Sequence, residues 1–284
     1  MSAHALIVEP FLDLAFMRGA LAACLALALA NAAVGTLLVL RRMSLTGNVL
    51  GHAVMPGAAV GFLYAGPSPT WLSLGGLASG VTVAVLASLI ASGRGRREAG
   101  LIAFYLIALS LGVVLVAWRG SNVDVMRVLF GTVLAIDRRA LLQIAAISSF
   151  VIVTIAAIYR ALVVGGVDPG FLRAAGARAP YEAIFHGLVV LTLIASFQAF
   201  GTLLAVGPLL LPAAGARCWR LGAAASMAVA ASFGIAASVT GLLVSYHANV
   251  PSGPAIVLAA GLLFGLSLSF SSLRRRGPRL EWSA

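Results

Sequence analysis

Hydrophobic and polar positions along this chain fall into blocks and do not alternate: long apolar runs are separated by short stretches of arginine, glycine and proline. A run near 20 apolar residues crosses about 30 Å of hydrocarbon as a helix, so the pattern predicts an all-α, polytopic membrane bundle. The first run, Phe16 to Leu40, is closed by Arg41 and Arg42. The second is Met43 to Tyr64; after a turn at Gly66, Pro67 and Pro69, Trp71 opens a third that ends at Ala91, ahead of Arg94, Arg96 and Arg97. A fourth covers Ala99 to Trp118. The dozen residues Val125 to Ile136 are too few to cross and read as an interfacial or re-entrant helix. A fifth span follows Arg138 and Arg139 to Tyr159, and the one sizeable polar loop, Arg160 to Pro180, turns at Asp168-Pro169. Glu182 to Phe200 is the sixth span, Thr202 to Ala216 a short seventh or re-entrant segment interrupted by Pro208 and Pro212, Leu221 to Tyr246 the eighth, and Ala255 to Ser271 the ninth.

Eight or nine crossings are expected, and nine put every arginine-rich loop except Arg119 to Arg139 on one face, which the positive-inside rule makes cytoplasmic. The N-terminus is then outside and the C-terminus inside. Glu9 and Asp13 replace the basic leader of a secretory signal, so the first run is expected to remain a true span. Gly57 and Gly61, Gly76 and Gly80, and Gly261 and Gly265 are small-xxx-small pairs and predict closely packed helices. No internal repeat, linker or soluble domain interrupts the pattern, and residues 1–284 read as a single transmembrane domain.

Composition narrows the function. Hydrophobic residues make up 61% of the chain and charged residues 10%, at a mean hydropathy of +1.06, which excludes a soluble globule. The net charge of +11 is topological, since the arginines bunch between apolar runs, and no nucleic-acid partner is needed to explain it. All 19 basic residues are arginine, so a phosphate-binding GxxxxGK[ST] loop and a Schiff-base lysine are both excluded. The chain does not hydrolyse ATP by itself. Its eight carboxylates form no DxxD-type pair, and neither GxSxG nor HExxH occurs, which argues against an intramembrane hydrolase or a prenyl-transfer enzyme. Cys24 and Cys218 lie in or beside apolar runs and form no CxxC site.

The chemistry concentrates in Met43 to Phe62. Asn48, His52 and Pro56 recur every four residues and share one helix face. Pro56 has no N–H to give the carbonyl of His52, so a freed carbonyl stands beside an imidazole at membrane depth. One reading is a kinked packing helix whose histidine bonds a neighbouring span. The other, favoured by the company His52 keeps, is the lining of a polar path. Pro208 and Pro212 in the seventh segment, with Pro251 and Pro254 opening the last, are further breaks of the kind that line cavities and expose helix ends to ions. His247, at a membrane edge, is either a ligand at the mouth of such a path or an ordinary interfacial residue. His186 reads as structural, and His4 as part of a mobile end.

Four segments in register, RRMSLTGNVLGHAVMPGAAVGF, VDPGFLRAAGA, AFGTLLAVGPLLLPAAGAR and SYHANVPSGPAIVLAAGLLF, resemble the permeases of zinc and manganese uptake ABC transporters from about Arg41 to Phe270, and most resemble the zinc branch. The resemblance implies a multi-pass protein of a bacterial inner membrane, paired with a second permease copy as a homodimer. It also implies cytoplasmic ABC ATPase subunits and an extracytoplasmic metal-binding protein. Asp168, Pro169, Phe171, Leu172, Arg173 and Gly176 match the cytoplasmic segment that contacts the ATPase, although Gly170 stands where an acidic residue is usual. The family commonly has an aspartate four residues before the histidine, where this chain has Asn48, and an acid before PSGP, where it has Asn249. Replacing hard anionic ligands by neutral oxygens, with an imidazole retained, favours zinc over manganese. Zn2+ as substrate, held by His52 and Asn48 with His247 at the mouth, is therefore the leading expectation, with no permanently bound cofactor. A permease for Mn2+, iron or a metal chelate, or a non-transport membrane scaffold, is the alternative.

Overall fold

A computed structural model describes residues 9–65, 68–90, 133–167, 181–201 and 204–275. Among them lie nine α-helices and one short 3-10 turn at Val133–Ala135. A five-residue helix, α1 (Glu9–Asp13), leads into α2 (Ala15–Leu40). Rich in alanine and leucine, the best helix formers, α2 satisfies its backbone internally as hydrocarbon requires. It is the axis of the bundle and contributes to all three hydrophobic clusters. It closes in a Schellman turn: the Met43 amide bonds the Leu38 carbonyl at 2.8 Å and the Arg42 amide bonds the Val39 carbonyl at 3.2 Å, with Arg42 left-handed at φ 57°.

That turn feeds α3 (Ser44–Ala65), which doubles back against α4 (Pro69–Ile90). Gly57 and Gly61 meet the α4 backbone at Gly75 and Trp71, with no room for a Cβ at either. Gly76 and Gly80, on α4, pack against Val54 of α3 and against Ile194 and Val190 further along the chain. These two pairs are the close-packing devices expected. Gly261 and Gly265 are not: among the described residues no atom of another helix lies within 4 Å of where their Cβ would stand. A small-xxx-small pair allows close approach, but only a facing backbone uses it.

The next helix, α5 (Arg138–Val167), begins where Asp137 accepts a hydrogen bond from the Ala140 amide at 2.7 Å. It runs beyond Tyr159, where the polar loop was expected to start, and bends at Ile158 (φ −106°, ψ 15°) before continuing to Val167. The correction has a plain cause. Arginine is itself a good helix former, and Leu162, two residues past Arg160, is fully buried against the core. The expected fourth span, Ala99 to Trp118, and residues 125–132 of the expected Val125 to Ile136 run lie outside the described residues.

After α6 (Tyr181–Phe200) comes α7 (Val206–Arg217), a helix of 12 residues and hence about 18 Å, half the hydrocarbon thickness. Pro208 does not interrupt it, because it stands in the first turn, where an amide hydrogen would have no helical partner anyway. Pro212 alone is inside the helix. The half-helix is enclosed: Gly35 of α2 lies directly on its Leu209 carbonyl, and its other side meets the two last helices, α8 (Ala223–Ala248) and α9 (Ser252–Arg275). Its C-terminal carbonyls are capped from α9, by the Ser267 hydroxyl on Gly215 at 2.7 Å and, just past the helix end, the Ser271 hydroxyl on Cys218 at 3.0 Å.

Five helices among the described residues are long and apolar enough to cross a membrane. Within their most apolar windows α2 and α6 are 67% and 61% buried, whereas α5, α8 and α9 are 22%, 33% and 28% buried. The first pair forms the centre and the other three form an apolar outer wall, the arrangement a bilayer solvent allows and water does not.

Candidate functional site

His52 lies in the middle of α3, 7% exposed, between Gly51, which faces Val206 and Leu193, and the buried Ala53. Pro56, one turn on, is buried as well. The carbonyl of Ala53 accepts the Ser79 hydroxyl of α4 at 2.6 Å, so the strand of carbonyls beside the proline break is partly served by the neighbouring helix. Asn48 falls one turn before His52 on the same helix, and its side chain is outside the described set.

The other expected residues are not gathered around His52. His247 is exposed in the last turn of α8, edge-on to Tyr246 at 5.1 Å, and Asn249 caps that helix in the left-handed region at φ 54°. Pro251 is exposed just before α9. Pro208 and Pro212 line a separate small cavity with Cys24, Asn31, Phe200 and Ser238, with room for about 10 Å³ of water centres, close to one water molecule. Pro212 leaves the Pro208 carbonyl without its helical partner there. His186 bonds its own helix, with Nδ1 2.7 Å from the Glu182 carbonyl oxygen, as a structural histidine does. Among the described residues no three His, Cys, Asp or Glu side chains converge on a point that could hold a metal.

Sequence reasoning passed over the polar side-chain pairs that join neighbouring helices. Asn31 of α2, 2% exposed, accepts the Ser196 hydroxyl of α6 at 3.1 Å. Gln198 of α6 donates to Ser73 of α4 at 2.6 Å, and Gln143 of α5 donates to Thr70 at 3.0 Å. The signal was present, because a lone amide in an alanine–leucine run is costly in hydrocarbon unless something pairs with it.

Asp168, Pro169, Phe171, Leu172, Arg173 and Gly176 lie outside the described residues, but both flanking helices are seen. Between those helices reaches Arg41, the residue that caps α2. Its Nη2 donates to the Leu162 carbonyl of α5 at 2.5 Å, and its guanidinium stands 4.7 Å above the Phe185 ring of α6. Burial lowers the pKa of this arginine, and the carboxylate of Glu182 raises it in part.

A helical bundle with a buried centre, an apolar outer wall and a buried histidine on a proline-containing helix is the build of a multi-pass membrane transport protein. The chain belongs to the ABC 3 transport family, whose pattern matches residues 13–271. It is 30% identical to the manganese transport system membrane protein MntC of Halalkalibacterium halodurans, over 93% of this chain and 90% of that one. It is 28% identical to the manganese import system permease protein ScaB of Streptococcus parasanguinis, over 92% of each. Among solved structures, PsaBC from Streptococcus pneumoniae in complex with Fab superimposes with a TM-score of 0.84 at 26% identity, covering 95% of this chain and 99% of that one. The protein is a membrane transport subunit, and ATP hydrolysis resides on a separate subunit.

Proposed function

We propose that this permease carries Mn2+ inward as the membrane subunit of an ATP-driven importer, with His52 on the translocation path. The observation that carries the reading is His52 itself: a buried imidazole one turn before a proline inside a helix of membrane length, in a chain similar to permeases named for manganese. Pro56 has no amide hydrogen to offer the His52 carbonyl, and Asn48 stands one turn away on the same helix. The zinc preference argued from Asn48 and Asn249 gains no support from those relatives, so manganese takes its place. Manganese is the weakest-held of the divalent first-row ions, and a site of neutral donors releases it readily, which suits transport better than storage.

In this reading residues 1–284 form one transmembrane domain and pair with a second copy as a homodimer. Cytoplasmic ABC ATPase subunits bind the segment holding Asp168, Pro169, Phe171, Leu172, Arg173 and Gly176. An extracytoplasmic metal-binding protein docks at the opposite face, where His247 and Pro251 are exposed. Pro208 and Pro212 shape the interior next to the path.

The test is uptake of radiolabelled manganese by proteoliposomes holding the permease and its ATPase subunit, with zinc as competitor. His52→Ala should assemble normally and lose most uptake, while His186→Ala stays near wild type because its ring serves only its own helix. Normal manganese uptake by His52→Ala would remove that histidine from the path. Zinc carried in preference to manganese would reverse the choice of metal.

A further inference from the structure

Arg41 touches the two helices that bracket residues 168–180 and sits on the turn that starts the His52 helix. α5 ends at Val167 and α6 begins at Tyr181, so whatever moves the intervening segment pulls on these two ends. The Arg41 guanidinium grips both. It bonds the Leu162 carbonyl five residues before α5 ends and lies over Phe185 four residues after α6 begins, with Glu182 close enough to act on its charge. Its Cγ and Nε also lie 3.0 and 3.3 Å from where a Cβ on Gly166 would stand, so even an alanine there would crowd the side chain.

Two further observations make this more than a packing contact. The α5 piece that Arg41 holds lies beyond a kink, since Ile158 breaks the helical dihedrals between the first part of the helix and the residues up to Val167, and such a break is where one part can shift against the other. The backbone of Arg41 belongs to the tight Schellman turn joining α2 to α3, so the guanidinium is mounted where the turn can pass a displacement to α3. From Ser44 to His52 is about 12 Å along one continuous helix. Among the described residues the buried Arg41 Nε has no hydrogen-bond partner, so a donor of the guanidinium is left over in this arrangement.

We propose that Arg41 is the positioning residue that couples the ATPase-facing segment to the His52 helix. A shift of the hinged end of α5 against α6 is passed through the guanidinium to the α2–α3 turn and on to His52. This rests on the reading that residues 168–176 contact the ATPase. Lysine cannot substitute, because a point charge neither stacks on Phe185 with a planar face nor presents a rigid fork to the Leu162 carbonyl.

The experiment measures manganese uptake and ATP hydrolysis together in proteoliposomes holding the full permease and its ATPase subunit, for wild type, Arg41→Lys, Phe185→Leu and the double variant. Phe185→Leu keeps an apolar side chain in the core and so tests the contact from the side that does not disturb the turn. Uptake per ATP hydrolysed should fall at least fivefold in each single variant, and no further in the double, with co-purification of the ATPase unchanged. A ratio equal to wild type in both single variants, or uptake and hydrolysis falling in parallel, would overturn the coupling role. Asp168→Ala and Arg173→Ala, scored only for co-purification of the ATPase, test the contact segment separately, so its failure is distinguishable from failure of Arg41.

Discussion

Replacing Gly57 by alanine adds one methyl group at the tightest crossing in the bundle, and the cost follows from the geometry. The new Cβ would overlap the Gly75 carbonyl oxygen and stand 2.5 Å from the Ser79 Cβ and 2.6 Å from the Gly75 carbonyl carbon. Carbon contacts become favourable only near 3.5 to 4.0 Å, so α4 has to withdraw from α3 by about 1 Å. The Ser79 bond to the Ala53 carbonyl, now 2.6 Å, then stretches beyond hydrogen-bonding range. Losing that bond costs about 0.5 to 1.5 kcal/mol, and overpacking a rigid contact costs about 1 to 3 kcal/mol. The better helix propensity of alanine returns about 0.5 to 1 kcal/mol. Gly57→Ala should therefore destabilise the permease by about 0.5 to 4 kcal/mol, read as a lower midpoint of thermal unfolding in detergent. It should also reduce uptake, because Ala53 adjoins His52. Gly261→Ala is the matched control: the same sequence motif, with no other helix among the described residues within 4 Å, should give a neutral or slightly raised midpoint. Equal shifts for the two variants would refute the argument that a facing backbone, and not the motif, sets the cost.

Arg42 holds φ 57°, a left-handed position that costs a residue with a Cβ about 1 to 2 kcal/mol, so Arg42→Gly should raise the unfolding midpoint; a drop would show that the arginine side chain has contacts outweighing the strain. Asn48→Asp adds an anion one turn from His52, and an extra attraction of about 1 kcal/mol should lower the KM for manganese about fivefold while zinc uptake changes less, as a two-isotope uptake assay will show. Cysteines placed at Arg220 and Asn249, both exposed and at opposite ends of α8, should label from the cytoplasm and from outside respectively once Cys24 and Cys218 are replaced; labelling of both from one side would contradict the span.

The spans could be read from the sequence because their cause is local. A run such as Phe16 to Leu40 has too many apolar residues for water and too few polar groups for anything but a helix in hydrocarbon, and its ends are marked by arginines that stay at the interface. The same local logic picked out His52 and Pro56, since an imidazole and a missing amide are properties of single residues. Ends set by packing were misplaced: α5 continued past Arg160 because Leu162 found a core to fill, which no property of Arg160 announces. Pro208 was read as a break, yet its effect depends on where the helix starts, and that start is decided by how Gly35, Val257 and the serines of α9 enclose α7. Gly57 and Gly261 stand in identical motifs, and tertiary structure alone separates a backbone crossing from an outward face. Nor did the sequence reveal that Arg41, read as a topological charge, reaches residue 162 on one helix and residue 185 on another. Contacts between positions so far apart in the chain depend on how three helices pack, and helix packing is settled by the whole set of facing surfaces at once.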